Sequence, residues 1–422
     1  MDSQSCCLEF ERAGVVSRRR FLGGMAATSG AAVGATMFGD AVRQASFGDT
    51  LAGNVLVVIS LRGGVDGLGV VVPHGEPAYY AARPNINIPA SQLIAKDAKF
   101  GLHPQMQPLE WLWNAGEMAA VQAVGMPVPN RSHFLAMEEI EDADPTSSVR
   151  RGWVNRLIGL DAGSKPSEAV NLGGSITPTA LVGPAPVLAT GDLKNLALSG
   201  TSNGYGARRR AHLQTVWGPD TGPLAAAAGS ALQTVQDLAP VIAHTYQPSV
   251  NYPRAYPATG LSDALKDTAQ LIKARVGTEV VTIDYGNWDM HSDYGNLDGG
   301  EMQSMLRGFA STVSAFMKDL KELRSKVTVV TISEFGRRVE QNGNRGLDHG
   351  WGNMMLLLGG GVASGYHGVW PGLGVGKLID GDLAVTTDYR HVLGEVVSKR
   401  FPSRSLAGVF PGLAFNPVGV MS

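Results

Sequence analysis

Short, nearly uninterrupted apolar runs recur along the chain and predict the strands of a mostly parallel sheet. They are rich in Val, Ile and Leu and lack the alternation of apolar and polar residues that a strand with one solvent-exposed face shows, as expected for strands buried on both faces. The runs are Asn54–Leu61, Met118–Val124, Glu279–Tyr285, Lys326–Ser333 and Asn353–Leu358.

Helical patterns lie between these runs. The clearest extends from Met302 to Leu323, where apolar residues three and four positions apart keep one face apolar. Further helices are predicted over Pro104–Asn114, Ser132–Ala143, Pro223–His244, Ser262–Arg275 and Asp388–Lys399. Strands that alternate with helices predict an α/β fold, with helices on both faces of the sheet. Residues 161–260, rich in Gly, Ala, Pro, Ser and Thr, interrupt this order and are interpreted as an inserted cap or excursion within one domain spanning residues 42–422.

The first residues have the pattern of an export signal. Arg18, Arg19 and Arg20 precede the weakly apolar stretch Phe21–Phe38, which is typical of a twin-arginine signal. A membrane anchor is the alternative, but the Gly, Ser and Thr content of this stretch makes it a poor permanent span. We therefore predict cleavage after Ala41 and a periplasmic or secreted mature chain with no permanent membrane span.

Composition narrows the chemistry that is available. The chain has 54 Gly among 422 residues, 44% hydrophobic residues, only 17% charged residues and a net charge of −2. This composition excludes a disordered chain and argues against a nucleic-acid partner. Cys6 and Cys7, the only cysteines, precede the arginines, so the mature chain would have neither a disulfide nor thiolate chemistry.

Polar clusters flank the predicted strands. They are Asp66 after the first strand, Arg131, Ser132 and His133 after the second, Asp289 and His291 after the third, Glu334 and Arg337 after the fourth, and Asp348 and His349 before the fifth. Open α/β sheets bind ligands beyond the carboxyl ends of their strands, so these clusters should converge. Carboxylates and imidazoles without cysteine suit a hard or borderline divalent metal.

Each cluster also has a structural interpretation. Asp66 lies in a glycine-rich turn that it could simply shape. Ser132 is either a helix N-cap or a nucleophile next to a helix N-terminus that favours anions. His133 either lines the site or packs under the loop. Asp289 and His291, one strand period apart, are a metal-binding or a structural pair.

The ordered motifs resemble a known family. They are Leu61-Arg-Gly-Gly-Val-Asp-Gly67, Leu102-His-Pro104, Asn130-Arg-Ser-His-Phe134, Trp288-Asp-Met-His291, Ser333-Glu-Phe-Gly-Arg337, Asp348-His-Gly350 and Trp370-Pro-Gly-Leu373. Together with the twin-arginine leader, this set resembles the bacterial domain-of-unknown-function family 1501, a sulfatase-like group within the alkaline phosphatase superfamily.

The resemblance implies an alkaline phosphatase-like hydrolase with two divalent ions, of Zn, Mn, Ca or Mg. One assignment matches Asp348 and His349 to the late Asp-His pair of the superfamily and leaves the last histidine to His367 or His391. The other, which we prefer, uses Glu334 as that carboxylate and His349 as the last histidine. It implies one metal at Asp289, His291 and His349 and a second at Asp66, Ser132 and Glu334, with Asp348 binding directly or supporting a ligand.

The implied reaction is attack by Ser132 on a phosphate or sulfate ester, small or carried on a polymer, with Arg131 and Arg337 holding the nonbridging oxygens. The nucleophile position, Ser132, has neither cysteine nor threonine, so the modified-cysteine mechanism of sulfatases is excluded. The alternative is an exported binding or assembly protein that keeps the fold without turnover.

Overall fold

The structure, a computed structural model, describes residues 53–159, 164–197, 204–218 and 222–422. The predicted export signal lies outside these residues and stays a prediction. In chain order the strands are β1 (Val55–Leu61), β2 (Val71–Val72), β3 (Gly101–Leu102), β4 (Met118–Gly125), β5 (Ala169–Leu172), β6 (Leu188–Thr190), β7 (Val280–Tyr285), β8 (Val327–Ile332), β9 (Asn353–Gly359), β10 (Gly365–His367) and β11 (Thr387–Asp388).

The central sheet has nine strands, in which β1 occupies an inner position. The order is β10-β4-β9-β8-β1-β7-β5-β6, and β11 also pairs with β4. Only β9 runs against its neighbours, since it pairs antiparallel with both β4 and β8 while the other pairings are parallel. The predicted mostly parallel α/β sheet is confirmed, and the apolar runs form β1, β4, β7, β8 and β9.

The α-helices in the described residues connect and cover these strands. They are α1 (Gly67–Val70), α2 (Pro77–Ala82), α3 (Glu110–Asn114), α4 (His133–Asp142), α5 (Trp153–Ile158), α6 (Gly206–Trp217), α7 (Pro223–Ala243), α8 (Thr259–Ala274), α9 (Glu301–Asp319), α10 (Tyr389–Arg400) and α11 (Leu406–Val409). The helix predicted from Pro104 begins as a 3-10 segment, Pro104–Leu109, which contains Pro108. Proline lacks the N–H that an α-helical turn needs, so the α-helix begins only afterwards.

Two apolar cores lie on opposite faces of the sheet. Val57 and Ile59 of β1 belong to one core with residues of α8 and α9, whereas Leu56 and Val58 belong to the other with residues of α4, α5 and α10. Side chains alternate across a strand, so β1 supplies both cores. The expectation of helices on both faces is confirmed.

The region interpreted as a cap has two kinds of structure. β5 and β6 extend the sheet beyond β7, while α6 and α7 follow them and pack against each other. No helix in the described residues is long and apolar enough to cross a membrane.

Candidate metal centre

The predicted polar clusters meet at one edge of the sheet. The loops that carry Asp289 and Glu334 follow the carboxyl ends of β7 and β8. His349 lies just before β9, and because β9 is antiparallel, its amino end reaches the same edge. His133 is the first residue of α4, which follows β4.

Two histidines have their Nδ1 atoms next to carboxylates. Nδ1 of His133 lies 2.9 Å from Oε1 of Glu334, and Nδ1 of His291 lies 2.8 Å from Oδ1 of Asp348. A carboxylate accepts but cannot donate, so each Nδ1 must carry the proton. In the neutral tautomer with the proton on Nδ1, the lone pair lies on Nε2, as in metal-binding histidines held by a carboxylate.

The third histidine is oriented by the backbone. Nδ1 of His349 lies 2.9 Å from the carbonyl oxygen of Arg131, which also can only accept. Burial lowers the pKa of His349, and the backbone hydrogen bond only partly opposes that shift. His349 therefore stays neutral near pH 7, with an unprotonated Nε2.

The Nε2 atoms of these three rings converge on the carboxylate of Asp289. Oδ1 of Asp289 lies 3.0 Å from Nε2 of His291 and 3.2 Å from Nε2 of His349, and Oδ2 lies 3.4 Å from Nε2 of His133. The ligand atoms of His133, Asp289 and His349 all lie within 4.8 Å of one another.

The distances and the hydrogen-bond pattern fit a cation. Nε2 of His291 and Nε2 of His349 are 3.0 Å apart, and in the tautomers protonated at Nδ1 both atoms bring lone pairs to that contact. Nε2 of His133 is buried and has no hydrogen-bond partner among the described residues. Ligands at zinc distances of about 2.0–2.1 Å in a tetrahedron lie about 3.3 Å apart. The three spacings measured from the Asp289 carboxylate, 3.0, 3.2 and 3.4 Å, are close to that value.

Arg337 holds the carboxylate of Asp289 in place. Its side chain is 1% exposed, and its Nη2 donates to Oδ1 of Asp289 at 2.6 Å. Its other donors bind backbone oxygens of Gly63, Gly64, Trp288 and Leu347, and Nη1 also lies 3.5 Å from Nε2 of His291. Burial raises the pKa of Asp289, but the hydrogen bond and charge of Arg337 outweigh it and bring that pKa to about 2. Arg337 therefore fixes an ionised carboxylate, and its donors are already engaged by the protein.

Glu334 supports a ligand in this arrangement. Its buried carboxylate accepts from the backbone N–H of Gly63 at 2.7 Å, as well as from His133. Asp348 supports His291 in the same way. Hydrogen bonds from His291 and Asn342 outweigh a small effect of burial and lower the pKa of Asp348.

Asp66, expected at the second metal, lies in a different environment. Its carboxylate is buried and accepts from Arg83 at 2.6 and 2.9 Å and from the Tyr294 hydroxyl at 2.6 Å. The Arg83 side chain is fully buried, so the two charges form an internal ion pair. The structure does not bring Asp66 into the cluster around Asp289.

Ser132 and Arg131 lie at the start of α4, next to His133. Ser132 is the N-cap residue, but its hydroxyl makes no capping hydrogen bond. The guanidinium of Arg131 pairs with the buried Asp382. The reserve histidines bind backbone groups elsewhere, with Nε2 of His367 at 2.8 Å from the oxygen of Ala363 and Nδ1 of His391 accepting from Asn416.

The sequence analysis left His133 as a residue that either lines the site or packs beneath a loop. The structure places it among the converging ligand atoms. Its position directly after Ser132 at a predicted helix start was the available signal, but its partner Glu334 is 201 positions away in sequence.

The fold and the site define an α/β protein with a mostly parallel sheet and a candidate His/Asp metal centre at the carboxyl edge. Residues 257–393 match the family model described as "Protein of unknown function (DUF1501)". The resemblance to family 1501 is thus confirmed over this stretch, which includes Asp289, His291, Glu334 and His349. No curated protein matches the chain.

Several solved structures are similar to this chain at low sequence identity. One is the C-terminal periplasmic domain of EcEptC from Escherichia coli in complex with Zn, with 10% identity, a TM-score of 0.34 and 76% of each chain covered. Another is a protein in the alkaline phosphatase superfamily from Vibrio parahaemolyticus, with 8% identity, a TM-score of 0.34 and coverage of 88% of this chain and 73% of that one. A third is the PsFucS1 sulfatase from Pseudoalteromonas sp., with 12% identity, a TM-score of 0.34 and coverage of 87% and 73%.

Proposed function

We propose that this protein is an exported, metal-dependent hydrolase of phosphate or sulfate esters. The observation that supports it best is the convergence of three histidine Nε2 atoms on Asp289, with every Nδ1 held by an oxygen acceptor. In this proposal one divalent cation binds His133, His291, His349 and Asp289, and Zn suits this nitrogen-rich ligand set. Asp66 is left out of the ligand set because its carboxylate is buried against Arg83 and Tyr294, outside the cluster around Asp289. Glu334 is left out because its Oε1 accepts from Gly63 and lies on the Nδ1 side of His133, away from Nε2.

The solvent exposure of the site favours a catalytic metal over a purely structural one. The side chains of Asp289 and His291 are each 45% exposed, so a ligand can reach them from solvent. When bound, the cation would supply Lewis-acid polarisation of an ester oxygen. The N-terminus of α4 directs backbone N–H groups and a positive dipole end to the same place, which favours an anionic phosphoryl or sulfuryl group.

Ser132 is the proposed nucleophile because it lies at this N-terminus and its hydroxyl is not used for capping. Its Oγ would form a bond to phosphorus or sulfur while the bond to the ester oxygen breaks. The departing alcohol takes up the proton that the serine gives up, and water then cleaves the seryl ester and releases phosphate or sulfate. Arg337 keeps Asp289 ionised and in place, and so acts as a positioning residue.

The first test is elemental analysis of the protein purified without chelator. We expect about one equivalent of divalent metal in the wild type and its loss in Asp289→Asn. Asp298→Asn is the matched control, because it makes the same change at an exposed carboxylate in the same loop. Wild-type protein that folds without metal, or Asp289→Asn that retains it, would contradict the proposed site.

Turnover is tested separately with aryl phosphates and aryl sulfates as probes. Ser132→Ala should keep the metal and lose hydrolysis. Metal-loaded wild type that hydrolyses neither probe class, nor sugar phosphates and sulfates, would favour the alternative of a binding or assembly protein. Export is tested by replacing Arg18, Arg19 and Arg20 with lysine, which should leave the protein in the cytoplasm if the twin-arginine signal operates.

A further inference from the structure

A cleft separate from the metal centre opens at the same carboxyl edge of the sheet, beyond the ends of β5 and β7. It has a volume of about 250 Å³ and lies between the loop after β7 and the start of α8. Sites that enclose a whole drug-sized ligand measure about 300–1,000 Å³, so this cleft has room for one ring-sized part of a larger molecule.

The cleft is joined to the metal centre by a short stretch of chain. Asn287 lines the cleft and precedes Asp289 by two residues in one loop. Two residues of extended chain span about 7 Å at most. A molecule with its ester at Asp289 could therefore place a neighbouring unit in the cleft.

The lining combines an exposed aromatic ring with hydroxyl-binding groups. Tyr256 is 77% exposed, and its hydroxyl accepts a hydrogen bond from Nδ2 of Asn287 at 2.9 Å. The Tyr256 hydroxyl therefore retains its own proton to donate. Asp284 adds a carboxylate that is 55% exposed and is held by Arg62 at 2.9 Å.

These groups match the chemistry of a sugar ring. The negative face of an aromatic ring attracts the positively polarised C–H groups of a saturated ring. A tyrosine hydroxyl that can donate and a carboxylate that can accept suit sugar hydroxyls. Asp284 is already paired with Arg62, and no residue that lines the cleft carries a positive charge for a phosphate or sulfate. The anionic ester therefore belongs at the metal centre and the neutral unit in the cleft.

We propose that this cleft binds a neutral sugar unit of a glycan whose neighbouring unit carries the phosphate or sulfate ester. The proposal deepens the function above and rests on it for the position of the ester. Binding of the neutral unit itself requires neither metal nor turnover, so the two proposals can fail separately.

The test is saturation-transfer NMR on the metal-loaded protein with a panel of neutral oligosaccharides. We expect transfer to at least one oligosaccharide and its retention in the metal-site variant Asp289→Asn. Tyr256→Ala should weaken that binding about tenfold, as expected for loss of an aromatic contact. Tyr205→Ala, which removes another exposed tyrosine outside the cleft, should not change it.

A second pair of variants, one that fills the cleft and one that leaves it open, changes no polar group of the lining. A Cβ added to Gly260 meets no atom within 4 Å, so Gly260→Phe should fill the cleft while Gly260→Ala leaves it open. Gly260→Phe should abolish oligosaccharide binding and keep kcat/KM for aryl phosphates or sulfates. The proposal is overturned if no oligosaccharide binds the wild type, or if binding survives in both Tyr256→Ala and Gly260→Phe.

Discussion

Replacing Glu334 by glutamine tests the metal centre at a residue that is not itself a proposed ligand. Glutamine has the same shape, and its Oε1 can still accept from Gly63 and from His133. A hydrogen bond to a charged acceptor contributes about 1.5–3 kcal/mol, against about 0.5–1.5 kcal/mol for a neutral one. The loss of charge should therefore weaken the support of His133 by on the order of 1 kcal/mol.

That loss corresponds to roughly a fivefold higher Kd for Zn, just below the about 10–100-fold range for residues that support metal ligands. The assay is competition with a chromophoric chelator at pH 7.5. The matched control is Glu395→Gln, since Glu395 is also buried but accepts from the backbone of Val418, Gly419 and Met421. The control should lower thermal stability without changing the Kd. A Glu334→Gln variant that binds Zn within twofold of the wild type would refute the support that the Glu334 charge gives to His133.

Three further predictions concern other buried contacts. Burial, only partly opposed by the charge of Asp66, lowers the pKa of His103 to about 4. As the pH falls, His103 of the unfolded chain is therefore protonated first, so its contribution to the free energy of unfolding is complete above about pH 6.5 and falls by about 3 kcal/mol as the pH drops to 4. Urea unfolding measures this loss, which should be absent in His103→Gln. Arg83→Met should cost about 3–5 kcal/mol in the same assay because it leaves Asp66 buried and unpaired, and pairing it with Asp66→Asn should restore part of the loss; equal stability of the two variants would contradict this reasoning. A Cβ on Gly350 would lie 2.5 Å from the backbone carbon of Arg337, so chelator competition should show weaker Zn binding by Gly350→Ala, and an unchanged Kd would count against this close approach.

The sheet was largely predictable, because strands buried on both faces need continuous apolar residues. The runs that became β1, β4, β7, β8 and β9 have this character. β5 and β6 have only four and three residues, too short to show a period, and their glycine-rich surroundings favoured the interpretation as a cap.

The candidate centre was predictable in part for a related reason. Strand direction brings Asp289, His291 and His349 to one edge, and the sequence places each beside a predicted strand. The environment of Asp66 was not predictable, because nothing in the sequence shows that Arg83 is buried against it. The role of Glu334 was not predictable either, because the hydrogen bonds that it accepts from Gly63 and His133 join segments far apart in the chain.

The wide separation of the proposed ligands affects when the metal could bind. His133 follows β4, Asp289 follows β7 and His349 precedes β9, so no single segment contains the set. A growing chain that has not yet reached His349 lacks a ligand, and a chain with an unformed sheet has its ligands dispersed. Metal binding would therefore come late in folding, and a bound ion would indicate that β4, β7 and β9 have already assembled in the sheet.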